Sequence, residues 1–413
     1  MALVVQKYGG TSVGTIDRII AVAERVARTR AHHDRVVVVV SAMAGETNRL
    51  FKLAGQLSDA PNSRECDVLV ATGEQVSAAL LAIRLQALGC PTVSFLAHQL
   101  MLATDSNHGN AKIKSVDAAR LREALEAGSI AVVAGYQGVD AKGDITTLGR
   151  GASDLTAVAL AAALRADVCE IYTDVEGVFT ADPRICPQAR KLARISYDEM
   201  LEMAGLGAKV LQLRSVELAR RYLVPLVVRS SFSDAAGTWV GQEDKAMEDV
   251  LVSGVTLDHN QSKITITGIE DRPGLAARLF GPIAGSGILV DMIIQNASAD
   301  GRTDITFTVG RDDLRRALEL CRMVAPEIGS AGVRHEEQVA KVSIIGLGMR
   351  SHAGVAARMF RVLAEEGVNI EMIATSEIKI SVVVNGKYGE LAMRALHDAF
   401  LGQSSEADSA ETV

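Results

Sequence analysis

The sequence has little of what secreted, membrane-embedded or nucleic-acid-binding proteins rely on. Its 413 residues include five cysteines, eight prolines and one tryptophan, and aromatic residues make up 4%. The cysteines, at 66, 90, 169, 186 and 321, form no CxxC pair and are odd in number, which excludes a disulfide framework or a structural zinc site as the organising device. Reduced thiols in a cytoplasmic protein are expected instead. The apolar opening Ala2–Val5 is too short for a signal-peptide core, and no run reads as the roughly 20 apolar residues that span a bilayer. A dense basic cluster is also missing, and the formal net charge is -7. Neither nucleic acid nor an anionic membrane is therefore expected as a partner; a small molecule is.

What is present is aliphatic: hydrophobic residues reach 48% and charged residues 23%. Up to about residue 228, short Val/Ile-rich runs alternate with helical stretches, the pattern of an α/β protein with a mostly parallel sheet between helices. Strands are expected at 3–5, 36–40, 92–96, 130–134, 168–172 and 226–228. The unbroken VVVVV run predicts a strand buried on both faces in mid-sheet. A Ser/Asp/Gly-rich stretch then marks a boundary. Beyond it, Gly274, Ala276, Ala277, Arg278, Phe280, Ala284, Gly287, Met292 and Ile293 recur 80 residues later, from Gly354 to Ile373. Two copies are too few for a solenoid, and each reads as a small α+β ferredoxin-like module. The expected organisation is a catalytic domain at 1–229, a linker at 230–250, modules at 251–332 and 333–401, and a disordered tail at 402–413.

The first strand runs through Lys7 and Tyr8 into Gly9 and Gly10 ahead of a helix, a geometry in which backbone N–H groups and a lysine can receive phosphate, or which serves only as a tight turn. In GRGASD, Arg150, Gly151, Ala152, Ser153 and Asp154 precede an apolar helix. Ser153 or Asp154 can serve as an N-cap there, while Arg150 suits a carboxylate or phosphate. Thr173 and Asp174 end another strand, where ligands of open α/β sheets bind, although turn chemistry explains them too. No GxxxxGKS/T loop and no protein-kinase HRD or DFG motif occurs. SIIGLGMRS breaks the dinucleotide fingerprint at Ser351.

KYGGTS, VSAMAGETN, ATGEQ, GRGASDLTA, YTDVEGVFTADPR and GAKVLQLRSVELA, in this order, resemble the motifs of aspartate kinases in the amino-acid kinase superfamily, and the duplicated modules resemble their tandem ACT domains. One departure is Ala152, where the family pattern has glycine. The resemblance implies a kinase that phosphorylates the β-carboxylate of aspartate with ATP, the Mg²⁺ arriving on the nucleotide without a dedicated protein metal site. It places the phosphate end of ATP on Lys7, Tyr8, Gly9 and Gly10, with Ser41 nearby. Ser153, Thr173, Asp174, Phe179, Thr180, Ala181, Asp182, Pro183, Arg184 and Lys209 would hold the remainder. Aspartate falls to Thr47, Glu74, Arg150, Gly151, Ala152 and Ser153, and Lys7, Asp154 and Lys209 carry catalysis.

Glu74 would answer the α-ammonium and Arg150 the α-carboxylate, although a helix-start role for Glu74 is the alternative reading. The acceptor carboxylate, with an ordinary pKa near 3.9, needs no general base. His32 and His33 are then left as solvated residues of a polar turn. The resemblance further implies feedback by lysine and/or threonine. In the first module the contacts would be Asp271, Arg272, Pro273, Gly274, Leu275, Gln295 and Asn296. In the second they would be Gly354, Val355, Asn369, Ile370, Ser376 and Glu377. A homo-oligomer through the ACT domains is implied, and an internal start near Met247 would yield a separate regulatory subunit. A glutamate- or nucleotide-directed member of the superfamily and a catalytically dead amino-acid sensor are the competing readings.

Overall fold

The computed structural model describes residues 2–207, 210–242, 252–297, 301–346, 349 and 353–402. The chain forms two compact units, the first comprising Met1–Val178, Lys191–Ala204 and Lys209–Ala246, the second Phe179–Arg190, Gly205–Ala208 and Met247–Val413.

The first unit begins β1 (Leu3–Tyr8), α1 (Ile16–His32), β2 (Arg35–Val40), α2 (Glu46–Leu57), α3 (Ser63–Ala87) and β3 (Thr92–Phe95). It continues through β4 (Ala103–Thr104), β5 (Ile113–Ser115), α4 (Ala119–Glu126), β6 (Ile130–Ala134), β7 (Gln137–Val139), β8 (Ile145–Thr147), α5 (Ser153–Leu164) and β9 (Val168–Thr173). It closes with β10 (Arg194–Ser196), α6 (Tyr197–Gly205), α7 (Leu213–Tyr222), β11 (Leu226–Ser230) and β12 (Thr238–Gly241). Eight strands make one sheet in the order β10-β12-β11-β9-β1-β2-β6-β3, parallel except where β11 meets β12. Val36–Val40 of β2 are fully buried between β1 and β6, as the uninterrupted valine run predicts.

Helix α1 turns Ile19, Val22, Ala23 and Val26 to this core and is capped by Thr15, whose Oγ1 accepts from Arg18 N. Helix α5 is apolar around its circumference and buried from Ser153 to Ala161, which carries its first turn into the interior. Two features depart from expectation. The 230–250 interval, taken as a linker, contains β12, because the short TWVG run pairs with β11 despite its polar surroundings. Helix α3 is, among the described residues, one helix long and apolar enough by composition to cross a bilayer, with half of that window buried inside the protein. Its Val70, Ala71, Ala78, Leu81 and Leu85 are core residues of this unit.

The second unit contains β13 (Val252–Glu270), α8 (Leu275–Gly285), β14 (Val290–Ala297), β15 (Arg302–Val309), α9 (Leu314–Val324) and β16 (Gly332–Gly346). After them come α10 (Ala353–Glu365), β17 (Ile370–Thr375), β18 (Lys379–Asn385) and α11 (Gly389–Leu401). The strands form one sheet, β14-β15-β13-β16-β18-β17. The long antiparallel pair β13/β16 belongs to both modules. Val252–Asp258 lies along Lys341–Gly346, and Lys263–Thr267 along Gly332–Glu336. A boundary between 332 and 333 therefore falls at the start of a shared strand, and the first half of β13 completes the second module. The polar run DHNQS, where β13 crosses from one module to the other, hides this continuity in the sequence.

Each module keeps its own core. Ile264, Leu279, Phe307 and Leu318 centre one; Val342, Met359, Val382 and Leu396 centre the other. The second core also takes in Ala181 and Cys186 from Phe179–Arg190. This segment is pinned where Val255 N donates to Thr180 O (2.8 Å) and Thr180 Oγ1 meets the Nε2 of the fully buried His397 (2.9 Å). Thr180 Oγ1 also accepts from Arg190 N (2.9 Å), so one hydroxyl ties both groups together.

Candidate active site

The carboxyl ends of β1, β2, β6 and β9 bring their following loops to one edge of the large sheet, where open α/β folds bind ligands. The glycine turn after β1 is tied to its neighbours: Gly9 N donates to Tyr172 O (3.2 Å), and Ser41 N donates to Tyr8 O (3.1 Å). There is no space for side chains at three glycines here. A Cβ on Gly10 would stand 2.9 Å from Ala42 O, one on Gly73 2.8 Å from Ala42 Cβ, and one on Gly135 2.9 Å from Ser153 Cβ. Gly10 and Thr11 direct their N–H groups to no acceptor among the described residues, which suits an anion.

Lys7 and Asp154 are both buried and form an ion pair of 2.7 Å. Asp154 lies in the first turn of α5, where the helix dipole favours a carboxylate, and its Oδ2 accepts from Gln212 N (3.3 Å). Beside this pair is a cavity of about 250 Å³ whose lining includes Gly10, Ser41, Thr47, Glu74, Tyr136, Arg150, Gly151 and Ser153. Glu74 is 3% exposed; its Oε1 accepts from Ala42 N (3.0 Å), and its Oε2 has no partner among the described residues. Burial raises its pKa from 4.5 to about 7. One small cavity thus offers an unanswered carboxylate, an exposed guanidinium, a hydroxyl at a helix start and a free amide, the set needed to hold a zwitterion with a further anionic group.

The structure brings Lys7, Gly9, Gly10, Ser41, Thr47, Glu74, Arg150, Gly151, Ser153 and Asp154 to this edge. Thr173 and Asp174 end β9 beside β1, with Thr173 Oγ1 donating to Asp174 Oδ1. Other assignments need correction. Tyr8 alternates to the face opposite Lys7, is fully buried and stacks on Tyr172 (4.6 Å), so only its backbone reaches the edge. The Ala152 side chain is buried among Tyr136, Leu148 and Leu155 and does not line the cavity. Thr180 and Ala181 are buried interior residues, while Phe179 and Asp182 are half-buried and Pro183 and Arg184 exposed, Arg184 pairing with Asp182. Lys209 lies outside the described residues.

In the second unit Asp271, Arg272, Pro273 and Gly274 form an exposed turn, and Gly274 takes a left-handed conformation (φ 92°) before α8. Leu275 instead fills the first module's core. Gln295 and Asn296 are exposed on β14. Of the corresponding residues in the second module, Gly354, Asn369 and Glu377 are exposed and Val355, Ile370 and Ser376 half-buried. Met247 is outside the described residues.

Sequence reasoning missed Tyr136. It follows β6 after Gly135, adopts φ 68°, and is held there by its N–H donating to Thr156 Oγ1 (3.1 Å). A bulky residue in this region is strained, as residues at ligand sites often are; its place after a strand end was the available signal. Also missed was a group distant in sequence: His108, Asp140 and Asp144 bring potential ligand atoms within 4.8 Å of one another. These carboxylates are already engaged, Asp140 by Ser106 Oγ and Asp144 by Arg64.

The large sheet with its glycine turn, buried Lys7–Asp154 pair and polar cavity, in a chain that also carries two ferredoxin-like modules, defines an amino-acid kinase with ACT domains. In agreement, residues 2–230 match the model of the amino acid kinase family, and residues 264–323 and 342–400 match that of the ACT domain. An aspartate kinase of Stutzerimonas stutzeri is 54% identical over 100% of both chains. An aspartokinase of Pseudomonas aeruginosa is 55% identical over 97% of this chain and 98% of its own. The structure of Escherichia coli aspartokinase III in complex with aspartate and ADP is 28% identical, with a TM-score of 0.81, covering 96% of this chain and 99% of that one. The chain belongs to the aspartate kinase family and is a kinase.

Proposed function

We propose that this chain transfers the γ-phosphoryl group of ATP to the β-carboxylate of L-aspartate, giving 4-phospho-L-aspartate. In this reading it performs the first step of lysine, threonine and methionine biosynthesis in the cytoplasm. The observation that carries the reading is the unpartnered Glu74 Oε2 in a cavity shared with Arg150 and Ser153 beside the Lys7–Asp154 pair. Glu74 receives the α-ammonium and Arg150 clamps the α-carboxylate, which leaves the β-carboxylate to point at the glycine turn. That carboxylate is ionised at neutral pH and attacks without a base. The barrier is the approach of two anions, so catalysis consists of alignment and neutralisation. Lys7, oriented by Asp154, and the Gly10 and Thr11 amides neutralise charge at the transferring group.

Mg²⁺ supplies further neutralisation when bound with the nucleotide. Asp154 is committed to Lys7 and Glu74 to Ala42 N through one oxygen, a donor set that fits a metal held chiefly by phosphates. Thr173 and Asp174, at the end of β9, face the remainder of the nucleotide. Lysine and/or threonine are the effectors of the ACT modules, with the 271–274 turn and the end of β14 as first-module contacts. The comparison that supports this is the E. coli aspartokinase III structure in complex with lysine and aspartate (T-state), 29% identical with a TM-score of 0.74 over 97% of this chain and 99% of that one. Oligomerisation through the ACT modules belongs to the same reading.

The test is incubation with ATP, Mg²⁺ and hydroxylamine together with aspartate, glutamate or N-acetylglutamate, repeated with lysine, threonine and both. Aspartyl hydroxamate that diminishes with at least one effector is expected. No product from aspartate, or preference for another acceptor, overturns the assignment.

A further inference from the structure

The residues assigned above leave unexplained what holds the glycine turn in place. The turn is flexible by composition, Thr15 caps α1 only beyond it, and the Gly10 and Thr11 amides have no acceptor among the described residues. Its far end is fixed through Ser12, which is 1% exposed and donates its N–H to Gly9 O (3.0 Å). The Ser12 hydroxyl makes a short contact with the hydroxyl of Ser231, the residue that follows β11.

A proton count gives the contact a direction. Ser231 Oγ donates its single hydrogen to Thr173 O (2.9 Å), so it can only accept from Ser12. Ser231 N donates to the same carbonyl (2.9 Å). The result is a one-way relay from Ser12 O–H to Ser231 Oγ to the carbonyl that ends β9. With Gly9 N bound to Tyr172 O, the turn is fastened to β9 at both ends.

We propose that Ser231 is a positioning residue of phosphoryl transfer, holding the Gly9–Ser12 turn through Ser12 so that the Gly10 and Thr11 amides face the nucleotide phosphates. Ser231 needs no contact with ATP; it acts by removing the freedom of a glycine turn whose alignment the reaction requires. The inference rests on the reading of this edge as the nucleotide site.

The experiment compares wild type, Ser231→Ala, Ser231→Thr, Ser12→Ala and the double alanine variant. It measures steady-state constants for both substrates and the thermal shift produced by a non-hydrolysable ATP analogue with Mg²⁺. Expected is a KM for ATP raised about tenfold in Ser231→Ala, since loss of a partly buried hydrogen bond of this kind is worth about that factor. The KM for aspartate should stay within about twofold, Ser231→Thr should restore most of the ATP affinity by keeping the hydroxyl, and the double variant should be no worse than the worse single one, because both break one relay. An unchanged KM for ATP in Ser231→Ala, equal losses for both substrates, a threonine variant as poor as alanine, or fully additive defects would each overturn the proposal. If wild type responds to the analogue without phosphorylating aspartate, the functional reading fails by itself, and the analogue shifts across the variants still decide the role of Ser231.

Discussion

Replacing Glu74 by glutamine should make the ligand-free protein more stable and the enzyme worse. The folded carboxyl, 3% exposed, has its pKa raised from 4.5 to about 7 by burial. A raised pKa means that the folded chain holds this proton more tightly than the unfolded chain does. The associated stability is complete below 4.5 and is lost as pH rises through 7, a difference of roughly 3 kcal/mol. Glutamine keeps the shape and the acceptor for Ala42 N–H but has no charge to desolvate. Glu74→Gln should therefore raise the unfolding free energy near pH 8 by roughly 1 to 3 kcal/mol and change little near pH 4.5. The same substitution removes the counter-charge of an ammonium in a buried site, worth roughly 2 to 4 kcal/mol, so the KM for aspartate should rise at least about 30-fold while that for ATP holds within about threefold. Urea unfolding at several pH values and initial rates with each substrate varied are the measurements. In wild type the aspartate KM should fall as pH rises through about 7, and the variant should lose this dependence. A variant less stable near pH 8, or one whose aspartate KM stays within threefold of wild type, would refute the reasoning.

Four further outcomes follow from the geometry. Lys7→Met should lower kcat by at least about a hundredfold and, by leaving Asp154 buried without its cation, cost roughly 3 kcal/mol in urea unfolding. Ala152→Gly should leave the KM for aspartate within about twofold, since the methyl points into the core, yet cost about 1 kcal/mol through lost burial and a looser helix start. Thr180→Val should destabilise the protein by about 2 kcal/mol, because His397 Nε2 and Arg190 N lose a shared partner. Burial lowers the His397 pKa from 6.5. The stability tied to its neutral form is thus present above 6.5 and lost as pH falls toward the depressed value, and calorimetry should show that acid-side loss in wild type.

Local pattern revealed the strands of the large sheet that are long and aliphatic, because burial on both faces leaves an unbroken apolar run. It did not reveal β12, four residues among turn formers, or the small sheet of β4, β5, β7 and β8, whose strands are two or three residues long. At the site, charged residues flanked by glycine were legible because few local roles require them. Tyr8 was misplaced because one step along a strand reverses the face. The interior position of Thr180, Ala181 and Cys186 was hidden because Asp182 and Pro183 give their stretch the composition of a surface turn, and its apolar partners lie some 200 residues away in sequence, as the Thr180–His397 separation of 217 shows.

The excursion of Phe179–Arg190 into the second unit limits how the chain can be rebuilt. The polypeptide leaves the first unit after Val178, gives Ala181 and Cys186 to a foreign core, and returns at Lys191. The core of the module containing α11 is thus completed by a segment far away in sequence. A truncation after residue 250 would strip Ala181 and Cys186 of the core that covers them and should yield a sticky protein. A module grafted in its place would have to bury the same two side chains and keep an imidazole at the place of His397 to meet Thr180.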